Sequence, residues 1–218
     1  MRSRWLVLGL LGLGTAHAAD MIALRYLDQD PGTPAYLTRI LVTPNFMRMD
    51  GGVDEEDFVL LDRRQRKVIN VMHGNKMAMV FQRGKLPAKP ANWKPHLVAQ
   101  KTGRGTLTFT LTVEGVVCSE GVATRQMAPE AARAMAEYKA VLASMQYRVW
   151  KESPTTMQNS CDLANQVWDT ATTLKLGLPL EEREFTGRTR KFESEHRLPL
   201  NPKLFRVPEG MPLVNAPS

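Results

Sequence analysis

Apolar and polar residues alternate in short runs through the first half of the chain, a pattern typical of antiparallel strands. The pattern predicts strands over residues 21–26, 36–50, 58–62, 68–73 and 77–82. Polar turn sequences separate the last three runs, so these strands are expected to follow one another as a meander. Pro44 lies inside the long run 36–50 and indicates a sheet edge or a bulge there, because proline has no N–H to donate.

Residues 84–105 break the strand pattern, since they hold several prolines and glycines and are expected to form a loop or flap. A strand over 106–113 follows. Its apolar residues alternate strictly with threonines, which gives one apolar face and one hydroxyl face. A further strand over 116–123 contains Cys118.

The period then changes to that of a helix. Pro129 suits the first helical position. An apolar stripe then recurs at intervals of four and three residues: Ala131, Met135, Tyr138, Leu142, Met145 and Val149. The sequence predicts a long helix ending near Trp150 and a shorter one over 161–170. Strands over 180–186 and 188–195 should then pair with opposite charges facing each other. The last residues, after 211, are expected to fray.

The first residues have the features of a secretory signal. Arg2 and Arg4 precede a short apolar run, and Ala16-His17-Ala18 matches a cleavage site. The alternative is a membrane anchor, but the run is shorter than the roughly 20 residues that span a bilayer. We therefore expect a signal peptide over 1–18 and a single domain over 19–218, located in a bacterial periplasm.

The net charge of +7 falls when Arg2 and Arg4 leave with the signal peptide. The remaining mild basic excess suits an anionic membrane surface, an acidic partner, or a solvated basic surface. Cys118 and Cys161 are the two cysteines, and an oxidising compartment favours a disulfide between them. The alternative is a reactive cysteine nucleophile, although no histidine lies near either cysteine in sequence.

Sequence motifs for metal, nucleotide, redox or serine-hydrolase chemistry do not occur in the chain, so no cofactor is expected and the protein is predicted not to be an enzyme. The enzymatic alternative needs a dyad of distant residues such as His73 with Asp62. The acidic run over 54–57 lacks the alternating spacing of a calcium loop. Nucleic acid is not an expected partner in the periplasm.

Three stretches resemble the periplasmic lipoprotein carriers of the outer-membrane sorting system: residues 41–50 with Phe46 and Arg48, the meander 58–81, and the ending 205–210. The resemblance implies an α+β fold: a curved antiparallel sheet, an open half-barrel, with one long and one short helix packed on its concave side. In that superfamily the space between sheet and helices accepts acyl chains. This chain differs because the long helix and the cysteines lie in one insert between strands.

The methionines have three interpretations: ordinary core packing, an adaptable ligand cavity, and Cu(I) binding near His73, Met72 and Met77.

We predict a non-catalytic carrier for a lipid, an acyl chain or a lipoprotein tail, with residues 84–105 as a lid. An envelope sensor or assembly protein with a protein partner is the alternative, and a Cu(I)-binding protein the lesser one. Peripheral membrane contact is compatible with the carrier and with the envelope protein. The sequence leaves open which strand faces point inward. The candidate lining residues are Phe46, Met47, Met49, Met77, Met79, Leu107, Phe109, Met135, Tyr138, Leu142 and Trp168.

Overall fold

The computed structural model describes residues 20–217, and the signal peptide predicted over 1–18 lies outside them. These residues form one open sheet of twelve strands with helices packed on it, an α+β arrangement. In spatial order the strands are β12-β6-β5-β4-β3-β2-β1-β11-β10-β9-β8-β7. β12 is parallel to β6 and every other neighbouring pair is antiparallel, so the sheet is mixed rather than purely antiparallel.

The predicted elements agree with most of the observed ones. The strands are β1 (Asp20–Gln29), β2 (Tyr36–Val42), β3 (Phe46–Asp50), β4 (Phe58–Asp62), β5 (Lys67–Met72), β6 (Met77–Gln82), β7 (Pro95–Lys101), β8 (Thr106–Val113), β9 (Val116–Thr124), β10 (Leu178–Glu184), β11 (Thr189–Pro199) and β12 (Leu213–Asn215). The long helix α1 spans Pro129–Glu152. The second helix, α2, begins with Ser160–Asp162 and continues as a π-helical turn over Leu163–Trp168. None of the helices within 20–217 is long and apolar enough to cross a membrane.

The single strand predicted over 36–50 is wrong, because the chain reverses at Pro44 and forms two antiparallel strands, β2 and β3. The Thr43 backbone N–H donates to Phe46 O at 2.9 Å, and the Thr43 hydroxyl accepts from the Phe46 N–H at 2.9 Å. Pro44 is exposed in this turn. A proline that cannot donate to a strand neighbour therefore marks a reversal here rather than a bulge.

The flap predicted over 84–105 is correct only in part. Its second half forms β7, an edge strand that pairs with β8 from Pro95 to Lys101. The frayed tail is also corrected, because Leu213–Asn215 pairs in parallel with β6. Short edge strands have few apolar residues and weak local signals, so the sequence pattern alone does not reveal them.

β11 pairs with β1 and so joins the N-terminal meander to strands β7–β10 of the sheet. The predicted charge pairing of the β10–β11 hairpin is confirmed. Glu182 lies opposite Arg190, and Glu181 lies opposite Lys191.

Side chains on the two faces of the meander form separate cores. One core lies under α1 and contains Tyr26, Ile40 and Met47. The other contains Phe58 and Leu60 and is covered by the C-terminal segment that carries Leu204 and Phe205. Because alternate residues of each strand face opposite sides, one strand supplies both cores.

The predicted disulfide is confirmed, with Cys118 in β9 bonded to Cys161 in α2. Both cysteines are fully buried, in a third small core with Leu111, Val113 and Ala164. The bond fixes α2 against β8 and β9. Since α2 also packs on α1, the disulfide limits how the helical layer can move over the sheet.

Candidate functional site

Helix α1 presents the first four residues of its predicted apolar stripe to the sheet, whereas the last one, Val149, is 51% exposed. Ala131 and Met135 are buried, and Tyr138 and Leu142 pack against the same core at half-buried positions. The helix begins at Pro129, directly after Ala128 in a left-handed conformation (φ 35°). This sharp entry turns the chain from the end of β9 onto the face of the meander.

A cavity of about 140 Å³ lies between α1 and the strands. Four of the predicted lining residues meet there: Met47 and Met49 from β3, and Met135 and Tyr138 from α1. Ile40 and Leu174 complete the apolar wall. Thioether side chains adapt to irregular contents, so this wall suits a flexible apolar group. The volume is below the roughly 300–1,000 Å³ of ordinary ligand pockets.

The opposite wall of the cavity is polar and comes from the β10–β11 hairpin and α1. It contains Glu182, Glu184, Arg188, Arg190 and Lys139. The hairpin reaches this position because β11 pairs with β1, next to the strands beneath the helix. The cavity is therefore amphipathic, with methionines on one side and paired charges on the other.

Arg190 is fixed by Asp28, whose carboxylate is fully buried. The Arg190 Nε and Nη2 atoms donate to the two Asp28 carboxylate oxygens, each at 2.7 Å. The Thr38 hydroxyl also donates to Asp28 at 2.8 Å. Burial acts to raise the pKa of Asp28, but the Arg190 and Thr38 interactions outweigh it and lower the pKa below its ordinary value.

Arg190 also lies over the ring of Tyr26, 5.0 Å from its centroid, and the Tyr26 hydroxyl donates to Pro179 O at 3.0 Å. Burial raises the pKa of Tyr26 and of Tyr138, so both phenols stay protonated. Burial likewise raises the pKa of Glu184. Asp28 therefore fixes the position of Arg190 in the polar wall. Glu184 adds to this wall a carboxyl group that burial partly removes from water.

A charged contact on the other flank of α1 holds the helix to the meander. Arg63, at the end of β4, donates to both carboxylate oxygens of Glu137 at 2.6 and 3.0 Å. The same guanidinium donates to Thr43 O at 3.0 Å, which ties the β2–β3 turn into the contact. Arg63 is mostly buried and Glu137 is partly exposed, so the pair resembles a latch at the edge of the helical layer.

Met77 and Met79 lie on the same sheet face as Met47 and Met49 but do not line the cavity. The strand register places Met49, Val59, Asn70 and Met79 in one row across β3–β6. Met77 lies opposite Met72, and these side chains are half-buried. The apolar face therefore continues from the cavity toward the β6 side of the sheet.

Phe46 lies on the other face of the sheet, away from α1, because it precedes Met47 in the strand. It stacks on Phe205 with ring centroids 6.0 Å apart. Its neighbour Arg48 is buried, stacks over Phe58 at 3.9 Å, and donates to Leu204 O at 3.0 Å. Two of the stretches that carry the sequence resemblance thus pack directly on each other.

The remaining candidates lie farther from the cavity. Leu107 and Phe109 share a face of β8 with Leu111 and Val113, which pack around the disulfide. Trp168 in α2 packs against Trp93 with ring centroids 4.8 Å apart, and against Tyr147 at 6.2 Å. None of Leu107, Phe109 and Trp168 lines the cavity beneath α1.

Sequence reasoning missed the polar wall. Arg188 and Arg190 were expected in a polar hairpin, and the β1–β11 pairing brings them beside α1. The sequence shows that Arg188 and Arg190 are two residues apart and so share one face of a strand, but no local pattern indicates which element that face contacts. Leu174 follows α2 in a short turn and also had no periodic signal.

The two residues named for the enzymatic alternative have other partners: His73 Nδ1 lies 3.8 Å from Asp57, and Asp62 accepts from the Gln65 N–H. Within residues 20–217, no group of three or more His, Cys, Asp or Glu side chains is arranged to hold a metal ion. Met72 and Met77 lie opposite each other on β5 and β6, next to His73 in sequence. This is the place where the Cu(I) hypothesis would put the ion.

No family model matches the sequence, and no curated protein matches it. Among solved structures, the chain is similar to two crystal structures of PNGF-II, with TM-scores of 0.44 and 0.39 and sequence identities of 11% and 8%. Each match covers 91% of this chain but only 31% and 32% of those chains. The chain thus spans about a third of the length of the proteins it matches.

Proposed function

We propose that the protein is a non-catalytic carrier that holds a lipid, an acyl chain or a lipoprotein tail between α1 and the sheet. The observation that supports this most directly is the amphipathic cavity lined by Met47, Met49, Met135 and Tyr138. In this proposal the open sheet is a half-barrel of the lipoprotein-carrier type, with the helices on its concave side.

The ligand chain would occupy the cavity and continue toward β6 along the row formed by Met49, Val59, Asn70 and Met79. A cavity of about 140 Å³ is too small for a whole acyl chain, so α1 must move away from the sheet during loading. The polar wall around Arg190 and Glu184 would contact the polar end of the ligand. We place the protein in the periplasm, where the Cys118–Cys161 disulfide would persist.

Native mass spectrometry of protein purified from a bacterial periplasm, followed by lipid extraction, tests the proposal. We expect a co-purifying acyl species in the wild type and its loss in Met49→Glu, because a carboxylate in the apolar wall opposes burial of a hydrocarbon chain. Met49 is half-buried, so this variant should still fold.

Met157→Glu is the matched control, since Met157 is 69% exposed and lies outside the cavity. It should retain the ligand. A wild-type protein with no bound mass and no uptake of fatty acid or phospholipid in a titration would contradict the carrier proposal.

The edge strand β7 favours the alternative of an envelope assembly protein. Among residues 20–217, β7 is hydrogen-bonded on one side only, by β8, and Val98 on it is 42% exposed. A partner strand can add to such an edge through main-chain hydrogen bonds. The Thr102 N–H donates to Thr106 O, and in the same register the N–H of Ala99 points away from β8. Ala99→Pro therefore removes one free donor from this edge, so it should abolish crosslinking of β7 to an envelope protein if that alternative is correct.

A further inference from the structure

A second groove lies along the flank of α1 opposite the methionine cavity. Residues Glu137, Val141, Ser144 and Arg148 form this flank, at helical intervals of four, three and four. One part of the groove, about 240 Å³, lies beside the β4–β5 turn, and the other, about 650 Å³, lies beside the end of β6 and the C-terminal tail. Arg83 lines both parts, so they are adjacent.

The floor of the groove is apolar. Leu61 and Val141 are buried in it, while Phe81 and Met145 are half-buried and border the larger part. The residues 215–217 form the far wall, where Ala216 N–H donates to Val80 O at 2.8 Å. This wall keeps the groove narrow along the end of β6.

The rim is basic. Arg66, Arg83 and Lys85 are exposed, and within residues 20–217 none of them forms an ion pair with a carboxylate. Glu137 is the acidic residue that lines the groove, and Arg63 already neutralises it. The groove therefore has uncompensated positive charge above an apolar floor, which is complementary to an anion attached to a hydrocarbon chain.

We propose that this groove binds an anionic amphiphile, with its chain on the Phe81–Met145 floor and its phosphate or carboxylate between Arg83 and Lys85. The larger part falls within the size range of ligand pockets without any movement of α1. Lys and Arg donate charge-assisted hydrogen bonds to phosphate oxygens, and these are stronger than neutral ones. The site is separate from the methionine cavity and does not depend on the carrier proposal.

Calorimetric titration of the full chain with dodecyl phosphate, kept below its critical micelle concentration, tests the site. The double variant Arg83→Gln/Lys85→Gln should bind roughly tenfold more weakly or worse, because each lost charged hydrogen bond weakens the complex. Both side chains are exposed, so the variant should fold, and circular dichroism would verify this.

The matched control is Lys203→Gln/Arg206→Gln, which removes the same charge from exposed positions on the opposite face. It should bind as the wild type does. An equal loss in Lys203→Gln/Arg206→Gln would mean non-specific charge attraction and would overturn the proposal.

Two further probes separate the head group from the chain. Inorganic phosphate and dodecyl maltoside should each bind at least tenfold more weakly than dodecyl phosphate. Equal binding of inorganic phosphate would make the groove a simple anion site, and equal binding of dodecyl maltoside would make it a neutral apolar groove. Either result would overturn the amphiphile assignment.

Discussion

Asp28 and Arg190 show how a single residue pair supports the cavity wall. Asp28 comes from β1 and Arg190 from β11, and their bidentate contact spans two strands that are distant in sequence. Removing one member of a buried pair leaves the other charge without compensation, which costs about 3–5 kcal/mol. The pair therefore holds Arg190 in one orientation at the edge of the cavity.

We expect the free energy of unfolding to fall when the pH drops below the ordinary Asp28 pKa of 3.8. The folded state lowers this pKa, so the stabilisation is present above the unfolded value and is lost as pH falls through the folded value. In Asp28→Asn, the loss of stability between pH 5 and pH 3 should be smaller than in the wild type, measured by urea unfolding.

Glu193→Gln serves as the comparison, because Glu193 is exposed on the same strand as Arg190. It should follow the wild-type pH profile. If Asp28→Asn had the same profile as the wild type, the pair would not be the source of the acid sensitivity.

The elements that cover the sheet are held in different ways. α2 is held by a covalent bond, whereas α1 is held by apolar packing and by polar contacts such as Arg63–Glu137 and the Gly84 N–H to the Ser144 hydroxyl at 3.1 Å. In the carrier proposal, α1 would therefore move about its contact with α2, because the disulfide keeps α2 on the sheet.

Replacing both cysteines by serine should lower the free energy of unfolding by about 4 kcal/mol, since the bond closes a loop over a sequence separation of 43. Hydrogen exchange should rise in α2 and β9 more than in β1–β3. The measurement is urea unfolding of the double variant, with the reduced wild type as a second sample.

Ser160→Ala is a suitable control, because it alters the same helix start without touching the disulfide. Ser160 donates a single exposed hydrogen bond to Glu114 at 2.8 Å. A similar loss of stability in this variant would show that the effect on the free energy of unfolding comes from the start of α2 and not from the covalent bond.

Both faces of the meander are covered, one by α1 and the other by the C-terminal segment. Of these two covers, α1 is the one suited to opening. The C-terminal segment is tied to β3 through the buried Arg48, while α1 lies over a cavity and is latched at its edge by Arg63. A ligand of the methionine cavity that needs more than about 140 Å³ must therefore displace α1.

Glu137→Gln should increase the uptake rate of a fluorescent fatty acid and raise hydrogen exchange in α1, while the exchange of β1 and β11 stays unchanged. The amide keeps the shape of the side chain but removes its charge, and a partly exposed pair contributes about 1 kcal/mol or less. Stopped-flow fluorescence measures the uptake. Glu152→Gln, at the far end of α1, is the control.

Unchanged uptake in Glu137→Gln, together with a wild-type exchange pattern in α1, would mean that the latch does not control access. Faster uptake in both variants would assign the effect to the net charge of the helix.

The sequence alone determined most elements of this fold. Strict alternation in β8 and the four-and-three spacing of α1 are local patterns, because each records which side of one element is buried. The charge pairing of β10 with β11 and the disulfide were also predictable, since a short turn and a pair of cysteines leave few partners. The shared face of Met47 and Met49 follows from strand periodicity in the same way.

Only the tertiary structure decided which elements meet. The β1–β11 pairing brings Arg190 to α1, and the face on which the C-terminal segment packs separates Phe46 from the methionines. The basic groove likewise joins residues from a turn, a strand end and a helix. Such contacts depend on long-range pairing, whose free energy comes from buried area and register summed over the whole sheet, and a local sequence pattern does not contain that sum.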